Sequence, residues 1–394
     1  MLLWVGFALA MVLLLAVSRR DLAAGMAVAS VVLAAFTLDG RAALDALRIT
    51  FSDPAVWLLA FVVGLIPMIG GVMEISGQMA RLVANLRMGI RPFLATAPAL
   101  LGMLPMPGGT LLSAPMIERG AGHMDSDLKA AANVWFRHTF LPIYPLGAAL
   151  IASAKIASLT VYQVIPALAP AFLLMLVLGY LFLLRRADGR LTHAGSFSLR
   201  GLLVPLAVIL AAPGLDVLLK LVLALPYAEI GTAAGVIVSL LLAIRIGRVR
   251  SREVGAVFLR MRPWKYALII LAMFAFLNVF KSSGAPEAIA ALHLPVVLLM
   301  VVIGFLLGVI TGRVQAPMSI LVPIYLTTHA GMTPAVFAVA YFAVFLGFLV
   351  SPIHPCVSVS LQYFGTPLTA FLRRMALPVA VAVAVTLGVG LLVL

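Results

Sequence analysis

The chain of 394 residues is 64% hydrophobic and only 10% charged, so it lacks the polar surface that a water-soluble globule of this length needs. Its 27 Lys and Arg against 13 Asp and Glu give a net charge of +14, but no basic groove with interleaved aromatic residues accompanies them, so a nucleic-acid partner is not expected. A single cysteine excludes a disulfide framework and a thiolate metal cluster. With a mean hydropathy of +1.19, the chain is predicted to be an all-α polytopic membrane protein.

Ten apolar stretches are long enough to cross about 30 Å of hydrocarbon. In chain order they cover residues 2–18, 21–37, 54–73, 133–154, 161–184, 201–219, 229–245, 264–280, 335–356 and 376–394. Two further apolar regions, 92–118 and 295–325, are interrupted by prolines and glycines at 105–109 and 312–317. Such a break lasts at membrane depth only where protein or a wet cavity satisfies the backbone. We therefore expect both regions to form re-entrant hairpins.

The basic residues indicate how the chain is oriented. With two hairpins, 21 of the 27 Lys and Arg fall on one side, which the positive-inside rule assigns to the cytoplasm. Both termini are then expected outside, in a cell membrane that the chain crosses many times. Residues 185–200 form a predicted cytoplasmic linker, and residues 41–50 and 78–88 are predicted to be short amphipathic helices at the membrane surface.

Matched landmarks recur in the two halves of the chain. Trp57 and Trp264, and likewise Ser76-Gly77 and Ser283-Gly284, are 207 positions apart, and Pro-Ile-Tyr-Pro at 142–145 recurs as Pro-Ile-His-Pro at 352–355. Each copy contains an odd number of crossings, so the second is expected upside down relative to the first. The predicted repeats are residues 1–184 and 201–394, and inverted repeats with broken helices are typical of secondary transporters.

The hairpin breaks supply the first candidate substrate ligands. In the first hairpin these are Gly108, Gly109, Thr110 and Ser113, because adjacent glycines admit a ligand to the backbone at a helix start; tight helix packing is the alternative. In the second hairpin they are Arg313, Gln315 and Ser319. Arg313 either binds an anionic substrate or snorkels to the extracellular water that this hairpin faces.

The broken spans add Tyr144, Ser351 and His354. His354 lies between two prolines and can carry a coupling proton, since an imidazole titrates near pH 6.5, or it can cap free carbonyls as a neutral ring. Arg137 and His138, near the predicted inner end of their span, are second-tier candidates.

The acidic residues are expected at helix ends or in loops, so that no carboxylate is placed to bind a cation directly. Those considered are Glu74, Glu118, Asp125, Asp127, Glu229 and Glu287. No phosphate-binding loop, metal-spaced His or Cys cluster, or serine with a positioned base appears, so an enzyme, an ATP-driven pump and a metal site are not expected.

These patterns favour a secondary transporter of a small organic anion that works by alternating access. Its coupling ion is Na⁺ or H⁺, and no other cofactor is expected. A lipid or polyprenyl-phosphate translocator and a membrane scaffold that transports nothing are the alternatives.

Two sequence segments resemble domain of unknown function family 401: LPMPGGTLLSAPM at 104–116, and SPIHPC at 351–356 followed by QYFG at 362–365. That family comprises multispanning bacterial and archaeal membrane proteins of the ion transporter superfamily, whose relatives move citrate, dicarboxylates or gluconate. The resemblance covers nearly the whole chain. In those relatives, hairpin tips and broken helices hold substrate and ions; the matching positions here are Gly108, Gly109, Thr110, Ser113, Gln315, Ser319, Ser351 and His354.

The resemblance also implies a homodimer in lipid whose hairpins and broken spans move as an elevator. The Ser-Asn-Thr signature of the dicarboxylate carriers is absent from this chain. A sodium site is therefore not carried over from those carriers.

Overall fold

The structure, a computed structural model, describes residues 2–104, 109–120, 124–185, 187 and 196–394. Every regular element among these residues is a helix, which confirms the predicted all-α fold. Seven of the helices are long and apolar enough to cross a membrane, and three shorter apolar helices accompany them. The chain is therefore a multi-pass membrane protein.

Ten α-helices occupy the described part of the first half of the chain. They are α1 (Leu2–Ser18), α2 (Leu22–Thr37), α3 (Gly40–Ser52), α4 (Pro54–Ile75), α5 (Gln78–Ala84), α6 (Ile90–Gly102), α7 (Gly109–Gly120), α8 (Ser126–Thr139), α9 (Ala148–Ile156) and α10 (Val161–Gly179). Residues Tyr180–Leu184 continue α10 as a π-helical turn. Aspartates fix where three of these helices begin, because Asp21, Asp39 and Asp53 each accept a hydrogen bond from a backbone N–H in the first turn of α2, α3 and α4.

The described part of the second half contains ten more. They are α11 (Leu199–Val222), α12 (Ala228–Gly247), α13 (Ser251–Met261), α14 (Pro263–Ser282), α15 (Ala285–Ala290), α16 (Gly304–Thr311), α17 (Gln315–Thr328), α18 (Pro334–Val350), α19 (Pro355–Phe364) and α20 (Leu368–Val393). A π-helical segment, Leu298–Ile303, precedes α16. Helix α13 lies between the predicted spans 229–245 and 264–280, and its charged residues alternate with apolar ones at helical spacing, as in an amphipathic helix.

Both predicted hairpins are pairs of helices that pack against each other, α6 with α7 and α16 with α17. The chain leaves helical structure after Gly102 and again after Thr311. Gly312 adopts the left-handed conformation, with φ +58°, that commonly ends a helix. Of the predicted first break, residues 105–108 lie outside the described residues.

Both predicted broken spans are also interrupted. The span predicted at 133–154 is two helices, α8 and α9, with residues 140–147 between them. The span predicted at 335–356 is continued by α19 after a break at 351–354. Pro142 and Pro145 lie within the first of these breaks, Pro352 lies within the second, and Pro355 directly follows it. Prolines remove backbone donors, which explains why the helices stop there.

Local structure recurs at the matched landmarks. Helices α4 and α14 both begin with proline and both end at a Ser-Gly pair whose glycine is left-handed, with φ +70° for Gly77 and +72° for Gly284. Trp57 and Trp264 each contact a phenylalanine six residues earlier, with ring centroids 6.1 and 5.4 Å apart. These likenesses agree with a duplicated chain, and the opposed orientation of the copies stays a prediction.

The helices pack largely as two groups. Helices α1–α5 and α11–α14 pack mainly among themselves, as do α6–α10 and α16–α20. The groups meet where α14 lies against α17. The second group contains both hairpins and both broken spans, so the predicted interruptions all belong to the same group of helices.

Candidate functional site

The two broken spans meet at two histidines. His138, in the last turn of α8, and His354, just before α19, have ring centroids 4.7 Å apart, and both side chains are buried. Phe348 of α18 covers them, with its ring centroid 4.0 Å from that of His354 and 5.4 Å from that of His138. Residues more than 200 positions apart therefore form one cluster.

Cys356 is at the centre of this cluster. The ligand atoms of His138, His354 and Cys356 lie within 4.8 Å of one another, and Arg137 interacts electrostatically with Cys356. The Nδ1 atom of His138 lies 2.6 Å from the carbonyl oxygen of Val134, so Nδ1 donates its proton there and Nε2 is left to face the thiol. In contrast, Nδ1 of His354 is buried and has no hydrogen-bond partner in the described structure.

The two hairpins end against this cluster. A Cβ atom at Gly102, the last residue of α6, would overlap the carbonyl oxygen of Arg137. A Cβ at Gly312 would lie 3.0 Å from Oγ of Ser351 and 3.3 Å from the backbone nitrogen of His354. The glycines therefore let both hairpins approach the broken spans at backbone distance, and the four interrupted segments converge on one place.

Arg313, at the tip of the second hairpin, faces the same cluster. It interacts electrostatically with His354, Cys356, Tyr266 and Asp21. Asp21 directly follows Arg19 and Arg20, on the side that the charge pattern assigns to the cytoplasm. The side of the membrane that this tip faces stays a prediction, and anion binding and snorkelling both stay open as roles of Arg313.

The hydroxyl protons of several predicted ligands are bonded to backbone carbonyls. Ser351 donates to Val309 at 2.6 Å, Ser319 to Ala316 at 2.8 Å, and Ser113 to Thr110 at 3.2 Å. Each hydroxyl oxygen keeps a lone pair that can accept a further hydrogen bond.

The remaining predicted ligands of the hairpins occupy helix starts. Thr110 is buried in α7, whose neighbours are α8 and α19, and Gln315 is the half-buried first residue of α17. Gly109 begins α7, and Gly108 lies outside the described residues. Asn133, which lies one helical turn before Arg137, donates to Ser360 at 3.0 Å and so joins α8 to α19.

Tyr144 lies in the break between α8 and α9. It lines a cavity of about 450 Å³ between the break at 140–147 and α11. The other lining residues are Met103, Phe140, Ile143, Pro145, Leu210, Pro213, Gly214 and Val217. The Tyr144 hydroxyl is buried and has no hydrogen-bond partner in the described structure. The cavity therefore lies between α11 and the group of helices that contains both hairpins.

The expectation that acidic residues keep to ends and loops is wrong for Asp216, in α11. Its buried carboxylate accepts hydrogen bonds from Tyr162 at 2.6 Å, from Lys220 at 2.9 Å and from Thr232 at 3.0 Å. The network joins α10, α11 and α12, and since the carboxylate is fully partnered it braces these helices. A hydropathy average over an apolar window hides a single aspartate, which is why the pattern missed it.

One group of side chains in the described structure has the composition of a metal site. The ligand atoms of His138, His354 and Cys356 all lie within 4.8 Å of one another. The Arg137 guanidinium interacts with Cys356, and the Arg313 guanidinium interacts with Cys356 and His354. Their positive charges oppose a divalent cation and favour an anion.

The whole chain was compared with known proteins. A comparison with curated proteins finds no match. Among solved structures, the chain is similar to the crystal structure of the YdaH transporter from Alcanivorax borkumensis, with a TM-score of 0.65 over 98% of this chain and 97% of that chain. The sequences are 18% identical, so the likeness is one of fold. The sequence profile described as Protein of unknown function (DUF401) matches residues 2–394, and the chain therefore belongs to the DUF401 family.

Proposed function

We propose that the protein is a secondary transporter of a small organic anion of the carboxylate class. The observation that carries the proposal is the convergence of four interrupted segments on Arg137, His138 and His354. Arg137 also interacts with the side chain of Cys356, and Arg313 interacts with His354 and Cys356. Two arginines beside histidines, at a place where four chain breaks meet, are suited to binding an anionic solute.

The open hydrogen-bonding position of His354 gives the anion a specific contact. Its Nδ1 atom is buried without a partner, and a carboxylate oxygen there would satisfy it. The neighbouring Arg137 guanidinium can hold the second oxygen, because its planar fork matches a carboxylate. In this proposal Thr110, Ser113, Gln315 and Ser319 would line the approaches from the two hairpins and would select among solutes by hydrogen bonding.

The division into two helix groups supports alternating access by an elevator motion. The group with the hairpins would carry the anion, while α1–α5 and α11–α14 would stay fixed in the membrane. Arg313 interacts with Tyr266 and Asp21 of the fixed group, so its contacts would change with the movement. Opposed repeats would give the two end states equivalent geometry.

The energy source, assembly and location complete the proposal. A gradient of H⁺ or Na⁺ would drive the movement, and the fixed group would form a homodimer in the lipid of the cell membrane, with both termini outside. The fold likeness to the YdaH transporter supports membrane transport as the process. We propose no enzymatic activity.

Uptake by purified protein in proteoliposomes tests the function. Radiolabelled succinate, citrate and gluconate would be offered under imposed H⁺ and Na⁺ gradients, with empty liposomes as the blank. We expect gradient-driven uptake of at least one carboxylate and a loss of at least tenfold in Arg137→Gln. The matched control is Arg48→Gln, which removes an exposed arginine far along the chain from the cluster.

Two results would contradict the proposal. One is absence of uptake of every carboxylate by protein that is folded and monodisperse. The other is an equal effect of the two arginine substitutions. Scrambling of fluorescent lipid by the same vesicles would instead favour the lipid translocator.

A further inference from the structure

Four arginines line one cavity at the end of two membrane-spanning helices. The cavity has a volume of about 790 Å³ and lies between α5, α11 and α12; its arginines are Arg81, Arg200, Arg245 and Arg248. Helices α11 and α12 pack against each other and are joined by the short segment 223–227, so the start of α11 and the end of α12 lie at the same end of the pair. The four charges therefore lie where spanning helices end, which is the depth of the lipid headgroups.

No neighbouring carboxylate neutralises these arginines in the part of the chain that the structure describes. None of the four forms an ion pair there, whereas Arg260, on the same predicted side of the membrane, pairs with Glu74 at 3.0 Å. Arg81 donates a hydrogen bond to the carbonyl oxygen of Ser76 at 3.0 Å, which leaves its charge unbalanced. Like charges around one cavity repel one another, and an anion between them removes the repulsion. Because guanidinium groups match phosphate oxygens in geometry as well as in charge, the arrangement favours a ligand with a phosphate group.

The wall of the cavity also contains a polar side chain with an open hydrogen-bonding position. Gln78 is buried, and its amide nitrogen donates to the carbonyl oxygen of Ala243 at 2.9 Å. Since a carbonyl oxygen only accepts hydrogen bonds, the nitrogen must face Ala243, which fixes the orientation of the amide. The amide oxygen of Gln78 is buried and has no hydrogen-bond partner in the described structure. A hydroxyl group on the ligand would supply the missing donor.

Apolar side chains continue the site toward the middle of the membrane. Leu203 follows Arg200 by three residues on α11, and Leu241 precedes Arg245 by four residues on α12. At these spacings each leucine shares a helix face with its arginine and lies one turn deeper. The two leucines are 49% and 54% exposed. A ligand at this place therefore meets positive charge at the membrane surface and apolar side chains below it.

We propose that this cavity binds the headgroup of an anionic phospholipid, whose phosphate lies between the arginines and whose acyl chains follow Leu203 and Leu241. Phosphatidylglycerol fits the site because its headgroup combines a negative phosphate with hydroxyl groups. Phosphatidylcholine does not fit, since its headgroup has no net charge and no hydroxyl. The bound lipid would join α5, α11 and α12 at one end. The proposal goes beyond carboxylate transport and does not depend on it.

Native mass spectrometry of the full-length protein in detergent measures lipid binding directly. We expect dioleoyl phosphatidylglycerol to bind at least about tenfold more tightly than dioleoyl phosphatidylcholine, because an arginine near an anionic headgroup contributes about fivefold in affinity. Replacing Arg200 and Arg245 together with glutamine should then weaken phosphatidylglycerol binding by about 25-fold. Arg248→Gln alone should weaken it by about fivefold and repeats the test with a smaller change to the protein. Equal affinity of wild type for the two lipids would contradict the proposal.

The matched control removes the same number of charges from elsewhere on the same predicted side of the membrane. Arg252 and Arg373 are both exposed and do not line the cavity. Their joint replacement with glutamine should change phosphatidylglycerol binding by less than about twofold, since distant exposed charges are screened. If both pairs of substitutions weaken binding equally, net charge governs it and the proposed site is wrong.

A soluble phosphate compound is the other source of the same headgroup chemistry. Glycerol 3-phosphate has the phosphate and the hydroxyl groups of the lipid but no acyl chains. We expect it to leave bound phosphatidylglycerol in place when both are present at equal concentration, and we expect Leu203→Gln to weaken phosphatidylglycerol binding. Displacement of the lipid by glycerol 3-phosphate, together with unchanged lipid binding in Leu203→Gln, would contradict the lipid assignment and identify a soluble ligand.

This proposal and the proposed transport function fail in different ways. Loss of the preference for phosphatidylglycerol contradicts the lipid site and leaves carboxylate transport standing. Absence of carboxylate uptake by protein that keeps this lipid preference contradicts the transport function alone.

Discussion

Replacing Gly312 with alanine tests how closely the second hairpin approaches the broken span. Gly312 has φ +58°, and alanine in the left-handed region costs about 1 to 2 kcal/mol. The added Cβ would also lie 2.7 Å from Cγ1 of Ile353 and 3.0 Å from Oγ of Ser351. Overpacking of this kind costs about 1 to 3 kcal/mol more. We expect Gly312→Ala to lower the free energy of unfolding by about 2 to 5 kcal/mol.

Gly365 provides a control with the same backbone and no neighbours. Its φ is +63°, and a Cβ there would meet nothing within 4 Å. Gly365→Ala should therefore lose only the backbone part, about 1 to 2 kcal/mol. Denaturant unfolding in detergent micelles gives both values. Equal losses in the two variants would refute the close packing of the hairpin on residues 351–354.

Two further predictions concern the polar contacts that hold the helices together. Asp216→Ala leaves the partly buried Lys220 without its carboxylate and should lower the free energy of unfolding by about 3 kcal/mol. Asp45→Ala, which removes an exposed ion pair with Arg48, should lower it by less than about 1 kcal/mol in the same unfolding assay. Ser351→Ala removes the hydrogen bond to Val309 and should lower the free energy of unfolding by about 1 kcal/mol. If this bond holds the hairpin in place, hydrogen exchange should become faster only in α16 and α17. Unchanged exchange would show that the bond does not hold the hairpin.

The positions of the chain breaks could be predicted because their cause is local. Proline and glycine stop helices by removing donors and side-chain cover, so the end of α6 at Gly102 and the interruptions at 140–147, 312–314 and 351–354 follow from residue types alone. The same reasoning located both hairpins to within a few residues. The Ser-Gly pairs at the ends of α4 and α14 likewise fix two left-handed turns.

The composition of the cluster could not be predicted because it depends on tertiary packing. His138 and Cys356 are 218 positions apart, and neither sequence spacing nor periodicity relates them. A lone cysteine has no partner in the sequence, so nothing marked Cys356. Tyr144 matches His354 in the sequence repeat yet lines a different cavity, since matched positions in two copies need not meet.

Protection of Cys356 from alkylation tests most directly whether the anion binds where the broken segments converge. Because the chain has one cysteine, every alkylated molecule reports this site. The account predicts that a transported carboxylate slows alkylation, with half-protection near the concentration that half-saturates uptake, and that a carboxylate which is not transported leaves the rate unchanged. An alkylation rate that is the same at every concentration of a transported carboxylate would contradict the account.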